Sequence, residues 1–558
     1  MKRLVLLLMF VAAVFRAQTP ALQTGSVTGL VTDADTHAPV AGAQVGSQKL
    51  GWSATDADGR YAIRNLAPGP VSIEVNYAAG ANIDDVPAAP RNVNVNAGRE
   101  TAGVDFSVWL DGGISGRVTD ENNGPLPGIT VTVFYTYYRA NTAAGTFDNS
   151  DNLLNSTVNS LKMTTDERGM YSSRSPFMRA GRPYRVVAER ERTYDGALSD
   201  APVNPEARRR VLVPTFYPNV TSMQTATPIV LHSLEQRSGI DIRMGSAPSY
   251  CIDGTLKAEG QPGRLNFAVE EEARSSMHSE AGIPRHGGQT GDDGRFRVCN
   301  LSSGQYQLTV FGKGLPYMVE SFATRVVSVG NADVHNVEMN AAPPAPLNVE
   351  LRWSDTPAAG TPSPSVRVQS LPYFRTAATL NGPPGITIPG ETSFPILPML
   401  RQGISISGLS GPFYVKNIEL DGQSILYQTF DPATGSRRLR ITIGRDVGSM
   451  KVQTDAPGVS VFVIPQAATN EAELANSLFH GLSDENGLFE IRAIPPGRYV
   501  VLATSNPPFS RILRMGVTYL DRTPESLRLL LDSRNQGTAA EVMQNGFVEV
   551  HPSTKPIR

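Results

Sequence analysis

The sequence predicts an all-β protein, a tandem array of small β-sandwich domains with a short helix near the C-terminus. Three observations carry this. Apolar and polar residues alternate in short runs: Phe489, Ile491 and Ala493 interleave with Leu488, Glu490 and Arg492, the period of a half-buried strand. The same turn recurs ahead of such runs, as TDADGRY at 55–61, TDERGMY at 165–171, TGDDGRF at 290–296 and SDENGLF at 483–489. Gly and Pro are abundant, 51 and 42 of 558 residues, as many short strands and tight turns require.

Each unit carries further marks in a fixed order. VTGLVTD at 27–33 is followed by PVAGAQV at 39–45, and ISGRVTD at 114–120 by PLPGITV at 125–131. A corner closes the repeated strand, LAPG at 66–69, LSSG at 301–304 and PPG at 495–497. Self-similarity at domain-sized spacing reads as an array of like domains. The set G-x-V-x-D, P-x-x-G-A-x-V, T-D-x-x-G-x-[FY] and L-x-P-G-x-Y resembles the carboxypeptidase regulatory-like domain family. That resemblance implies a prealbumin-like (transthyretin-like) β-sandwich, with Ig-like layering, related to starch-binding-like domains. The shared positions are turns and core strands, so the resemblance transfers no binding residue.

In order along the chain, residues 1–17 read as a secretory signal peptide. Met1-Lys2-Arg3 is basic, residues 4–15 are apolar, and Ala17 is the expected cleavage residue. The run is short of the roughly 20 residues a span needs; an uncleaved anchor is the alternative, and Phe15 fits the small-residue rule poorly. Residues 24–108 are the first regulatory-like sandwich. Residues 112–245 are the second, enlarged by an insertion at 135–161 and a charged loop at 189–210. Residues 246–341 are the third. Residues 342–445 open on Ala342-Pro343-Pro344-Ala345-Pro346, a stiff linker, and form a divergent sandwich. Residues 446–515 are the last regulatory-like copy. In 516–558, Thr523 caps a helix with Pro524 at its first position and Glu525 near its positive end. Asn545-Gly546 predicts a final hairpin.

The two cysteines, Cys251 and Cys299, both fall in the third copy. Each has the opposite parity to its apolar strand neighbours, so both sulfurs leave the same face, and an exported chain favours oxidation. A structural disulfide is expected; two partly buried thiols are the alternative.

Composition limits function. At 558 residues the chain needs about three to five cores. A formal net charge of −2 gives no electrostatic case for nucleic acid. No nucleophile elbow, H-E-x-x-H or Walker loop is present, and no cofactor is implied. The histidines, His37, His232, His278, His286, His335, His480 and His551, are scattered. His278 and His286 near Glu270-Glu271-Glu272 are the densest group, and a solvated loop explains them. Asp56-Ala57-Asp58-Gly59 has the look of a calcium loop, but the twelfth position from Asp56 is Ala67, where such a loop needs a bidentate acid. Phe134 to Tyr138 offers either core aromatics or a sugar platform. No catalytic or metal site is therefore expected. The readings left are a non-catalytic exported protein binding polysaccharide, a structural or cell-surface or periplasmic protein-partner scaffold, and an unrecognised hydrolase. No transmembrane segment is expected in the mature chain.

Overall fold

A computed structural model describes residues 23–76 apart from 48, 91–138 apart from 109, 147–148, 153–155, 161–173, 178–190, 210–271, 287–311, 321–356, 365–372, 386–396, 402–409, 413–430, 437–505 apart from 485, 510–512, 518–520 and 522–557. The signal-peptide stretch, most of the insertion and charged loop of the second copy, His278 and His286 lie outside the described residues. The chain divides into two compact units, the first made of residues 1–33, 37–77 and 88–108 and the second of the remainder.

The first unit shows the sandwich in its simplest form. Its strands are β1 (Gly25–Asp33), β2 (Gln44–Ser47), β3 (Gly51–Ala54), β4 (Arg60–Leu66), β5 (Gly69–Asn76), β6 (Arg91–Val95), β7 (Glu100–Thr101) and β8 (Phe106–Val108). β4 pairs antiparallel with β1, and β7 and β8 pair parallel with it. The second sheet runs β3-β2-β5-β6. Every other residue faces inward, so Val27, Val31, Val45, Ile63, Ile73, Val75 and Phe106 are buried between the sheets.

The recurrent turn is fastened by its own side chains. Thr55 Oγ1 donates to Val40 O and accepts from Ala43 N, while Asp56 Oδ1 accepts from Asp58 N and Arg60 N. Thr165 and Asp166 repeat this. Thr290 and Ser483 make the equivalent hydroxyl bonds, and Asp484 the carboxylate ones. These Asx-type bonds give the backbone a fixed alternative to more ladder. They also explain why the Asp residues look like cation ligands in sequence: their oxygens serve the turn.

The turn glycine is obligatory. Gly59, Gly169, Gly294 and Gly487 have φ of 73° to 75°, and a Cβ on Gly294 would lie 2.4 Å from Leu256 O. Gly294→Ala is expected to destabilise the third domain by about 2 kcal/mol, the left-handed penalty plus the clash. Calorimetry of the variant against Gly263→Ala, whose Cβ meets nothing within 4 Å, checks this; equal midpoints would refute it.

The second unit repeats the plan. In the second sandwich Asp111–Thr119 takes Met170–Ser172 on one side and Gln236–Arg237 and Ile242–Arg243, parallel, on the other. In the third, Tyr250–Ala258 lies between Arg295–Leu301 and the parallel Val334–Ala341. Cys251 and Cys299 are joined across that antiparallel pair, S–S 2.06 Å. In the last, Gly448–Gln453 lies between Leu488–Ile494 and Phe547–Val550.

The C-terminal hairpin expected from Asn545-Gly546 is not formed. Asn545 does take a left-handed φ of 52°, but the turn carries the chain from one sheet to the other. Thr538–Val542 pairs antiparallel with Gly497–Thr504, and Phe547–Val550 parallel with Gly448–Gln453. Both sheets of the last sandwich lack a strand until these arrive, and Val542 and Val550 are buried when they do. The division drawn at residue 515/516 is thus not a fold boundary: residues 516–558 complete the last sandwich.

Residues 342–445 form two sheets around a core that includes Leu347, Leu351, Ile404, Ile418 and Ile441. Ala345–Trp353 pairs with Gly390–Ile396 and, parallel, with Arg437–Gly444. In the other sheet Gln402–Ser407 has Ser365–Pro372 on one side. Its opposite edge, filled in the other sandwiches by strands such as β6, Phe322–Val329 or Thr538–Val542, takes Phe147–Asp148 from the second sandwich's insertion. Arg185 of the second sandwich also pairs with Glu525 at 3.0 Å. Sandwiches that are not neighbours in sequence therefore touch within this unit.

Candidate functional site

Two helices interrupt the last sandwich, α1 (Glu471–Ser477) and α2 (Pro524–Asp532). Asn470 caps α1 by accepting from Glu473 N, and Thr523 caps α2 by accepting from Ser526 N at 3.1 Å. Leu474, Leu527 and Leu530 bury against Phe462, Ile464 and Leu502, and Arg528 pairs with Glu471 at 2.6 Å. The helices are thereby fixed on the sheet, and Arg522, one residue before the cap, is fixed with them.

Between this helical cap and the fourth sandwich lies a cavity of about 770 Å³, within the range of small-molecule sites. The last sandwich lines it with Phe479, Tyr499, Arg522 and the Pro495-Pro496-Gly497 corner, the fourth with Phe413, Tyr414, Lys416 and Tyr427. The corner is held shut by Tyr499, whose hydroxyl donates to Pro495 O at 2.6 Å, as Tyr306 does to Ser302 O at 3.0 Å. Phe413, Tyr414, Tyr427 and Phe479 are half-buried.

The charges are unevenly served. Asp446 accepts from Tyr414 Oη at 2.9 Å and Lys416 Nζ at 3.1 Å. Burial would raise its carboxyl, but those two hydrogen bonds outweigh it and hold the group below the usual range. Arg522 has no such partner. Its Nη2 reaches Leu478 O at 3.5 Å, and its Nε is buried without a hydrogen-bond partner among the described residues. Burial pulls the guanidinium down to about 10. Next to it His480 stacks on Phe462, ring centroids 4.6 Å apart and 22° from parallel. Burial, with the Arg522 charge adding to it, takes this imidazole down to about 3, so it is neutral.

The structure places the sequence-derived candidates elsewhere. Cys251 and Cys299 are in the third sandwich. Phe134 and Tyr135 are buried, Phe134 against Phe216 and Tyr135 against Tyr184, so they are core; the side chains of Tyr137 and Tyr138 lie outside the described residues. Arg522, His480 and the ring set of the cavity were not singled out. The one local signal was the Thr523-Pro524 helix start, which fixes where Arg522 must sit but not what it faces. Among the described residues no group of three or more His, Cys, Asp or Glu side chains is placed to hold a metal ion. No described helix is long and apolar enough to cross a membrane.

Residues 26–108 match the family model of the carboxypeptidase regulatory-like domain. No curated protein matches the chain. Solved structures similar to it include the Bacillus anthracis TIE protein, 10% identical over 77% of this chain and 68% of that one, TM-score 0.15. The full-length RrgB pilus protein from Streptococcus pneumoniae is 9% identical over 81% and 99%, TM-score 0.14. A streptococcal ancillary pilin is 11% identical over 57% and 99%, TM-score 0.18. The strand order makes this chain a multi-domain all-β protein, and its first sandwich matches the carboxypeptidase regulatory-like domain model.

Proposed function

We propose that the chain is an exported, non-catalytic β-sandwich protein that binds carbohydrate in the cavity between its fourth and last sandwiches. The observation that supports this is the lining: half-buried rings from both sandwiches around about 770 Å³, the apolar-with-few-polar-groups composition of a ligand site. A glycoside hydrolase needs two carboxyls across the scissile bond. Asp446 is the one carboxylate in the described lining, and it is engaged by Lys416 and Tyr414.

The test is a glycan and polysaccharide array with the chain from Gln18 onward. Reproducible binding, reduced about tenfold or more by Tyr427→Ala or Phe479→Ala, is expected, since each ring contributes about 1.4 kcal/mol or more if it stacks on ligand. Clean failure by a folded chain removes the reading. The second reading, a protein-partner scaffold of the cell surface or periplasm, is supported by Met543, in the turn before the last strand, and Phe547, at the start of that strand, each 66% exposed. It gains if the array fails and Phe547→Ser abolishes binding to an isolated partner.

A further inference from the structure

We infer that the ligand of this cavity is an anionic sugar, bearing a carboxylate or sulfate group, and that Arg522 is its anchor; this rests on the carbohydrate reading above. The argument starts from cost. A guanidinium partly taken out of water, as in half-buried Arg522, needs a counter-charge or acceptors for its buried donors, otherwise they go unmet. Arg522 has neither among the described residues. Its Nε is buried with no acceptor, its Nη2 makes one long bond to Leu478 O at 3.5 Å, and it forms no ion pair.

The other charges of the lining do not serve it. Lys416 and Asp446 satisfy each other at 3.1 Å, and exposed Arg498 lies 3.7 Å from Glu541. His480, adjacent to Arg522, is neutral and supplies no negative charge. Among the described residues of the lining, Arg522 is the cation left without an acidic partner.

Its backbone is anchored. The Thr523 cap, with Ser526 Oγ donating back to Thr523 O at 3.0 Å, sets the backbone beside it, and neither Thr523 nor Ser526 is exposed. The guanidinium at the end of this side chain has paired N–H donors that match the two oxygens of a carboxylate or sulfate. Phe413, Tyr427 and Phe479 line the same cavity, Phe413 also packing on Trp353 and Phe479 on Tyr499, and aromatic side chains of such a lining can contact the C–H surfaces of sugar rings. This cation beside aromatic side chains favours an acidic saccharide over a neutral one, because a neutral ligand would leave the buried Nε of Arg522 without the counter-charge it lacks among the described residues.

The experiment is titration calorimetry on the full chain with three oligosaccharides of matched length: an oligogalacturonide, its carboxyl-reduced neutral form, and a sulfated oligosaccharide. The expected result is at least tenfold tighter binding of one anionic ligand than of the neutral one, weakening with salt. Preference between the carboxylate and sulfate ligands identifies the group. Arg522→Gln is expected to abolish the anionic preference and Arg522→Lys to restore part of it. The comparison of charged with reduced ligand on the unaltered protein stands even if Arg522→Gln does not fold. Equal binding of all three would overturn the role of Arg522 and leave the carbohydrate reading intact. No binding of any saccharide by a folded chain would overturn both.

Discussion

Replacement of both cysteines by alanine, or reduction of the disulfide, lowers the stability of the third sandwich by about 2–4 kcal/mol. The bridge closes a loop with a sequence separation of 48 residues, and loop-closure entropy for that length is worth about 4 kcal/mol before any offset from residual denatured structure. Its position makes the effect local. The register between Tyr250–Ala258 and Arg295–Leu301 slips between Tyr250 and Ile252, where Asn300 takes a left-handed φ of 64°. The first and last sandwiches have the same irregularity, Gly25/Val27 and Gly448/Met450, with no cysteine there. The native strand pairing therefore does not need the bridge, and Cys251→Ala with Cys299→Ala should fold to the same topology. Calorimetry should show one transition moving down by about 10 °C or more, at about 4–8 °C per kcal/mol for a domain of this size, while the others stay. A change below about 0.5 kcal/mol would mean that the third sandwich does not rely on the bridge.

His480→Phe makes the last sandwich less sensitive to acid. The folded imidazole is held at about 3 against an ordinary value of 6.5. Below 6.5 the unfolded chain takes up a proton that the folded chain refuses, so stability falls as pH falls. The slope is up to about 1.4 kcal/mol per unit, and it runs through the window from about 6.5 down to about 3. Above that window the two states carry the same charge at this residue and the effect vanishes. At pH 4.5 the histidine protein should have lost about 2–3 kcal/mol relative to pH 7 through this group alone. Asp446 and Asp455, both held below their usual range, add acid sensitivity at lower pH in either protein, so the difference between the two proteins isolates His480. Phenylalanine keeps the stack on Phe462 and removes the buried, unpartnered Nε2. Denaturant melts at pH 7 and pH 4.5 measure it; parallel losses in the two proteins would contradict a buried neutral imidazole.

Much of the fold was readable because its marks are local. A Thr-Asp turn with glycine at its close is specified within a few residues: the hydroxyl and carboxylate bond to backbone nearby, and only glycine fits at φ near 74° against Leu256 O. Period-two alternation fixes which face of a strand is buried, so cores such as that around Ile252, Phe296 and Leu308 follow from the pattern. The parity of Cys251 and Cys299 belongs to the same class of information.

Strand partners are not local. Asn545-Gly546 makes a turn wherever it stands, but whether its flanking strands pair with each other depends on free edges elsewhere. Here each joins a sheet begun about 50 to 100 residues earlier. Phe147–Asp148 reaches the edge of Gln402–Ser407 for the same reason, an unfilled ladder in another sandwich. Arg522 shows the principle at the cavity. The sequence by itself determined that a capped helix follows it, which fixes its backbone. Only the tertiary structure decided that Leu478 and His480 lie beside its side chain and that it shares a cavity with rings of a second sandwich, because the surroundings of a buried donor are properties of what packs around a residue and not of its neighbours in sequence.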